Sequence, residues 1–283
     1  MTASKLPAPD LGERAGLDEC FLGVPVPLPT LSGASTARLD YTHFSVLMHV
    51  SRRLAAATAV GIDGGSVVEV PRSRDVWRLD PRLPADQQTD GAVYADNPLD
   101  RGHLVRRRDP AWGGAEVAAA ANADTFYYPN CAPQAAVFNQ SKQLWNGLED
   151  YLLASATTYE RRLVVITGPV LAADDPAYRD VLLPRRFYKV AAFIDDGSLA
   201  STAYLLDQSE LIDDLPALLA PAPPLGAYRT FQVPVADVAA LTGLDLAGLS
   251  AADRYRVPPS ALPTPPHTSR WTELVTYADV ALR

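Results

Sequence analysis

The chain has 283 residues, 48% hydrophobic and 20% charged, with a formal net charge of −8. That composition excludes disordered and fibrous classes and describes a globular protein able to bury about three quarters of its unfolded surface. Two cysteines, Cys20 and Cys131, far apart and without a Cys-x-x-Cys, exclude a disulfide framework or a zinc ribbon.

Residues 1–39 are rich in Pro and Gly, with no helical or strand period, and are expected to form an arm laid on the body. Residues 43–49 and 53–60 read as two short strands, and the three residues between them allow a hairpin. His43 and His49 fall on these strands, where a structural role is the ordinary expectation. Asp63-Gly64-Gly65 marks a turn, and Pro71, Pro81 and Pro84 punctuate a loop with one short strand. Asp100 to His103 then enters a strand, because Leu104 and Val105 are strand formers. Residues 112–122 have the propensity of a short surface helix.

A longer helix is predicted over residues 141–159, where Leu144, Trp145, Leu148, Tyr151, Leu152 and Ser155 recur at three- and four-residue spacing. Strands follow at 162–170, 186–194 and 200–206, and a helix at 235–241. Residues 246–283 are expected to be an irregular tail, with His267 exposed. No repeat or linker divides the chain, so residues 1–283 are expected to form a single domain. No apolar run reaches the ~18 residues of a membrane span, and the opening residues lack the apolar centre of a signal peptide. The expectation is therefore no membrane partner, with a cytoplasmic location or export by a non-classical route.

Two stretches carry chemistry. Asp100-Arg101-Gly102-His103 runs straight into Leu104-Val105-Arg106-Arg107-Arg108 and sets a titratable imidazole among guanidinium groups. A neutral imidazole takes a proton from water near neutral pH, and arginine forks hold phosphate oxygens as charge develops. The second stretch is Asn130-Cys131-Ala132-Pro133-Gln134, followed by Phe138-Asn139-Gln140 and by Leu148-Glu149-Asp150. Cys131 inside it reads as a small buried residue shaping a turn rather than as a nucleophile. Charge is uneven: residues 71–108 hold eight Arg against six Asp, whereas residues 171–283 hold nine basic and fourteen acidic side chains. A locally basic segment in an acidic body suits a phosphate-binding site.

The order and spacing of the Asp-Arg-Gly-His, Asn-x-x-Pro-Gln, Asn-Gln and Leu-Glu blocks resemble the DNA/RNA non-specific endonucleases over roughly residues 40–245. The resemblance implies an α+β, ββα-metal fold: a central, mainly antiparallel sheet flanked by helices. It implies metal-dependent endonuclease activity on DNA, RNA or both, with His103 as general base and Asn139 as ligand of Mg²⁺, for which Mn²⁺ can substitute. It also implies that Glu149 orients water and that Arg101 or Arg74 holds the phosphate, with Asn130 bracing the site. Asp150 is the alternative to Glu149, because the interval from Asn139 is about two residues longer here than in the family. Arg72 and Arg78 are the alternatives to Arg74. Relatives are often homodimers, and the sequence is silent on any protein inhibitor. Rival readings are an inactive nucleic-acid-binding protein on the same fold and a phosphodiesterase for a small nucleotide. Serine-hydrolase, zinc-protease and nucleotide-loop motifs are absent.

Overall fold

The structure is a computed structural model that describes residues 11–72, 76–136, 153, 156–214, 229–255 and 271–274. In chain order the first strands are β1 (Thr36–Asp40), β2 (Phe44–His49), β3 (Leu54–Asp63), β4 (Leu99–His103), β5 (Cys131–Ala135) and β6 (Arg162–Val170). There follow β7 (Ala177–Tyr178), β8 (Val181–Leu182), β9 (Arg186–Asp195), β10 (Ser198–Asp207), β11 (Arg229–Val233) and β12 (Thr272–Glu273). Eight of them make one antiparallel sheet in the order β1-β2-β3-β6-β9-β10-β11-β12, while among the described residues β4 pairs only with β5.

The middle of the large sheet follows from composition. β3 reads Leu-Ala-Ala-Ala-Thr-Ala-Val-Gly-Ile-Asp, and all its residues are buried, as a strand covered on both faces requires. β6 repeats this with all but Arg162 buried. The β2–β3 connection is the hairpin expected: a turn at Val50–Arg52 closed by Arg53, whose left-handed backbone (φ 58°) lets its N–H donate to the Val50 carbonyl at 3.1 Å.

Alternation along the strands sorts side chains to two different covers. Val164, Ile166, Val190 and Leu205 face a layer made by Leu17, Phe21, Val26 and Leu28 of the arm and by helices at Val235–Thr242 and Ala247–Ala251. Each such side chain contributes about 1.5–3 kcal/mol by leaving water. Val60, Val165, Ala191 and Tyr204 face the other way, toward Leu99, Leu104, Val105, Tyr127 and Cys131, the segments around β4 and β5. That second face also carries a buried polar row: Thr58 pairs with Thr167 and Thr167 with Lys189, whose Nζ donates to Thr167 Oγ1 at 3.0 Å.

Several expectations need correction. The strand containing Asp100 ends at His103 instead of continuing through Leu104 and Val105. The Leu104 N–H still donates to the carbonyl of Asn130 opposite it at 2.9 Å, but Asn130 Oδ1 takes the Val105 N–H at 3.0 Å, so the chain leaves the ladder there. The surface helix runs at Ala115–Asp124 with Ala118, Ala121, Asn122 and Asp124 buried, so it is only half exposed. The proline-punctuated loop forms a single bridge, Arg78 to Tyr127, in place of a strand. The arm contributes an edge strand, β1, and the tail expected to be irregular contains the Ala247–Ala251 helix and β12. Of the helix expected over residues 141–159, Leu153 and 156–158 are helical and Tyr159 is already in a turn; residues 141–152, 154 and 155 lie outside the described residues, as does His267.

Candidate active site

The β4–β5 ribbon brings the two chemistry-bearing stretches together. Its register sets Asp100 opposite Gln134, Arg101 opposite Pro133, Gly102 opposite Ala132 and His103 opposite Cys131. Gly102 suits a close approach: a Cβ there would lie 2.1 Å from the Gln134 side chain, which would have to move to admit it. Asn130, fully buried, fixes the exit from the ribbon. Its Nδ2 donates to the carbonyls of Val105 at 2.9 Å and Thr125 at 3.0 Å, while its Oδ1 takes the Val105 N–H. Three of the amide's four hydrogen-bonding positions are thereby used.

His103 stands half-buried at the last ribbon position, in a corner of aromatic rings. Trp77 meets its imidazole at 4.7 Å between ring centres, tilted 50°, and Phe126 meets it edge-on at 5.0 Å and 89°. The ring nitrogen Nε2 is buried. Arg101, two residues back on the same face, lays its guanidinium 5.1 Å from the Tyr94 ring and 5.9 Å from that of Tyr128. These aromatic faces hold a cation without neutralising it.

Cys131 lies beneath this arrangement. It is fully buried, its Sγ is 3.5 Å from the Tyr94 hydroxyl, and burial pushes the thiol up to about 12. A thiol held protonated is a poor nucleophile. His43 supports the loop after the ribbon: its Nδ1 donates to the Pro110 carbonyl at 2.8 Å and its ring stacks on Trp112. Burial lowers its pKa below the ordinary 6.5.

The arginines that follow His103 do not act as one group. Arg108 pairs with Glu69, and Arg107 donates to the Val70 carbonyl at 3.3 Å, so both are drawn toward residues 69–70. Arg78 is tied into the site wall by its backbone, and Arg72 is exposed. Arg74, Asn139, Glu149 and Asp150 lie outside the described residues. Sequence reasoning did not single out Trp77, Tyr94 or Gln134 for a role at this site. Only Gln134 had a signal, its place in the Asn-x-x-Pro-Gln block.

A model of the DNA/RNA non-specific endonuclease family matches residues 28–252. The chain belongs to that family. The family joins nuclease function to nucleic-acid substrates and, in general, to a divalent metal. A protein of Sinorhizobium fredii (strain NBRC 101917 / NGR234) described as "Uncharacterized protein y4fB" is 39% identical over 277 residues, covering 89% of this chain and 42% of its own length. The chain therefore spans less than half of that relative. Among solved structures, that of the EndoG/EndoGI complex, described as showing the mechanism of EndoG inhibition, has a chain similar to this one. Its TM-score is 0.55 at 21% identity, over 73% of this chain and 84% of that one. The likeness shows the fold, α+β of the ββα-metal nuclease type.

Proposed function

We propose that this protein is a metal-dependent endonuclease that hydrolyses phosphodiester bonds in DNA, RNA or both with little regard for sequence. The observation that carries the proposal is the β4–β5 register, which pairs the Asp100–His103 stretch with the Cys131–Gln134 stretch and sets His103 at the last position of the ribbon. His103 accepts the proton of a water that attacks phosphorus in line with the departing 3′ oxygen. The P–O3′ bond breaks as the new P–O bond forms, leaving a 5′ phosphate and a 3′ hydroxyl that takes its proton from solvent. Arg101, oriented by Tyr94 and Tyr128, offers its terminal amino groups to the scissile phosphate, and Arg74 is the other residue assigned to hold it. Asn130 keeps the residues after His103 from drifting.

Among the described residues no three His, Cys, Asp or Glu side chains gather as a cation cage. A single neutral amide oxygen suits an ion that keeps most of its own water and takes few protein ligands. Asn139 is the residue assigned to hold Mg²⁺ or Mn²⁺, with Glu149, or its neighbour Asp150, orienting the water around it. When bound, the ion stabilises charge on the leaving oxygen. Contacts of this kind address phosphates and carry no base information, which accounts for the lack of sequence preference.

The test is cleavage of supercoiled plasmid and of a structured RNA by the purified protein. We expect cleavage with Mg²⁺ or Mn²⁺, none in EDTA, and recovery when the ion is restored. Full activity in chelator would contradict the metal assignment. A protein that binds but never cuts either polymer would contradict the reading as an enzyme.

A further inference from the structure

We infer that Trp77 is a positioning residue for the reaction, a wall that holds the His103 imidazole in the plane from which it meets water. This inference rests on His103 being the base and adds to it a second segment of the chain. Residues 76–79 are pinned along the aromatic strip 126–128 by two backbone hydrogen bonds. The Arg78 N–H donates to the Phe126 carbonyl at 3.0 Å, and the Tyr128 N–H donates to the Arg78 carbonyl at 2.9 Å. Just beyond, Asp80 is fully buried. It accepts from the Tyr41 hydroxyl at 2.6 Å and from Arg82 at 2.7 Å, while its backbone N–H and carbonyl are both bonded by the Gln88 side chain. The segment is thus tied down from two directions while its flanking side chains, Val76 and Leu79, face solvent at 47% and 41% exposure.

Trp77 is the large side chain that turns inward, and it turns onto His103. It touches Phe126 at 5.4 Å and Tyr128 at 5.8 Å, so the indole is itself braced by the strip that also carries the second wall of the imidazole. A base at the last position of a two-stranded ribbon has the ladder on one side only, so walls from other segments help to fix the rotamer of its ring. The tilted and edge-on rings supply two such walls. A catalytic group must be held to within about 0.5 Å, and a displacement of about 1 Å costs on the order of 100-fold in rate. A wall that orients the base without touching substrate acts on turnover and leaves binding alone.

The experiment compares kcat and KM on a DNA duplex for wild type, Trp77→Phe, Trp77→Ala and His103→Ala, each shown to be folded by circular dichroism. Trp77→Ala is expected to lose ~10–100-fold in kcat with KM within ~3-fold of wild type, whereas Trp77→Phe, which keeps an aromatic wall, stays within ~3-fold in both. A rise in KM with kcat retained would make Trp77 a substrate contact and overturn the inference. So would a Phe variant as slow as the Ala variant. Should Trp77→Ala fail to fold, the Phe variant alone decides, by keeping or losing turnover. Cleavage that survives His103→Ala removes the underlying reading as well. An inactive His103→Ala beside a fully active Trp77→Ala removes only the role of Trp77.

Discussion

The β3–β6 pair and the β4–β5 pair are both antiparallel, yet they hold by different means. β3 and β6 are long, buried on both faces and paired over six positions from Thr58–Thr167 to Asp63–Arg162, with side chains that many apolar neighbours share. β4 and β5 are five residues each, carry Pro133 opposite Arg101, and depend on one glycine fitted under one glutamine and on one buried asparagine. In the first pair the stabilisation is spread over interchangeable contacts. In the second it is concentrated in residues without substitutes, because a short ribbon with little area to bury must take its register from specific groups. The scaffold should therefore tolerate losses that leave the chemistry intact, and the ribbon should not.

The strongest break in this comparison is Ile166→Ala in β6. It should cost about 2–5 kcal/mol in denaturant unfolding, the range for emptying a buried aliphatic site, while cleavage per folded molecule stays at the wild-type value. A parallel loss of kcat would mean that the large sheet and the ribbon are not energetically separate. Next comes Gly102→Ala, expected to cost about 1–3 kcal/mol through overpacking against Gln134 and, unlike Ile166→Ala, to depress turnover in the molecules that remain folded. Adding Gln134→Ala should return part of both losses, since the two side chains compete for one space. Strict additivity would show that the clash is relieved elsewhere.

The smallest effect sharpens the boundary between the two regions at His43, which reaches from the β1–β2 turn to Pro110 beyond the ribbon. Its pKa is lowered by burial, so the unfolded chain binds the proton more readily than the folded one. The contribution of His43 is complete above the ordinary value of 6.5 and is lost as pH falls through the lower folded value. Thermal scans between pH 7.5 and 5 should show a shallower acid decline in His43→Asn, where Asn tolerates the left-handed backbone (φ 67°) and can still donate to Pro110. Identical slopes would place the acid sensitivity in other groups.

What the sequence made legible follows the same division. Apolar runs located β3, β6, β9 and β10, because a strand buried on both sides must be apolar throughout. Motif order likewise marked the His103 and Gln134 stretches as carrying the chemistry, though not that they pair as strands. The end of β4 was misplaced because local propensity at Leu104 and Val105 was overridden by the side chain of Asn130, twenty-five positions from Val105, taking the Val105 amide. The aromatic corner was invisible for a related reason: Trp77, His103 and Phe126 meet only once the Arg78–Tyr127 bridge has formed. Runs of like charge also misled, since Arg107 and Arg108 are adjacent in sequence to the base yet turn toward residues 69–70.

The most direct measurement compares plasmid nicking by wild type and by folded His103→Ala under identical Mg²⁺. Removal of a general base predicts a loss of ~10²–10⁴-fold in rate with circular dichroism unchanged. Cutting at the wild-type rate by the alanine variant would contradict the assignment of the ribbon's last residue as the proton acceptor.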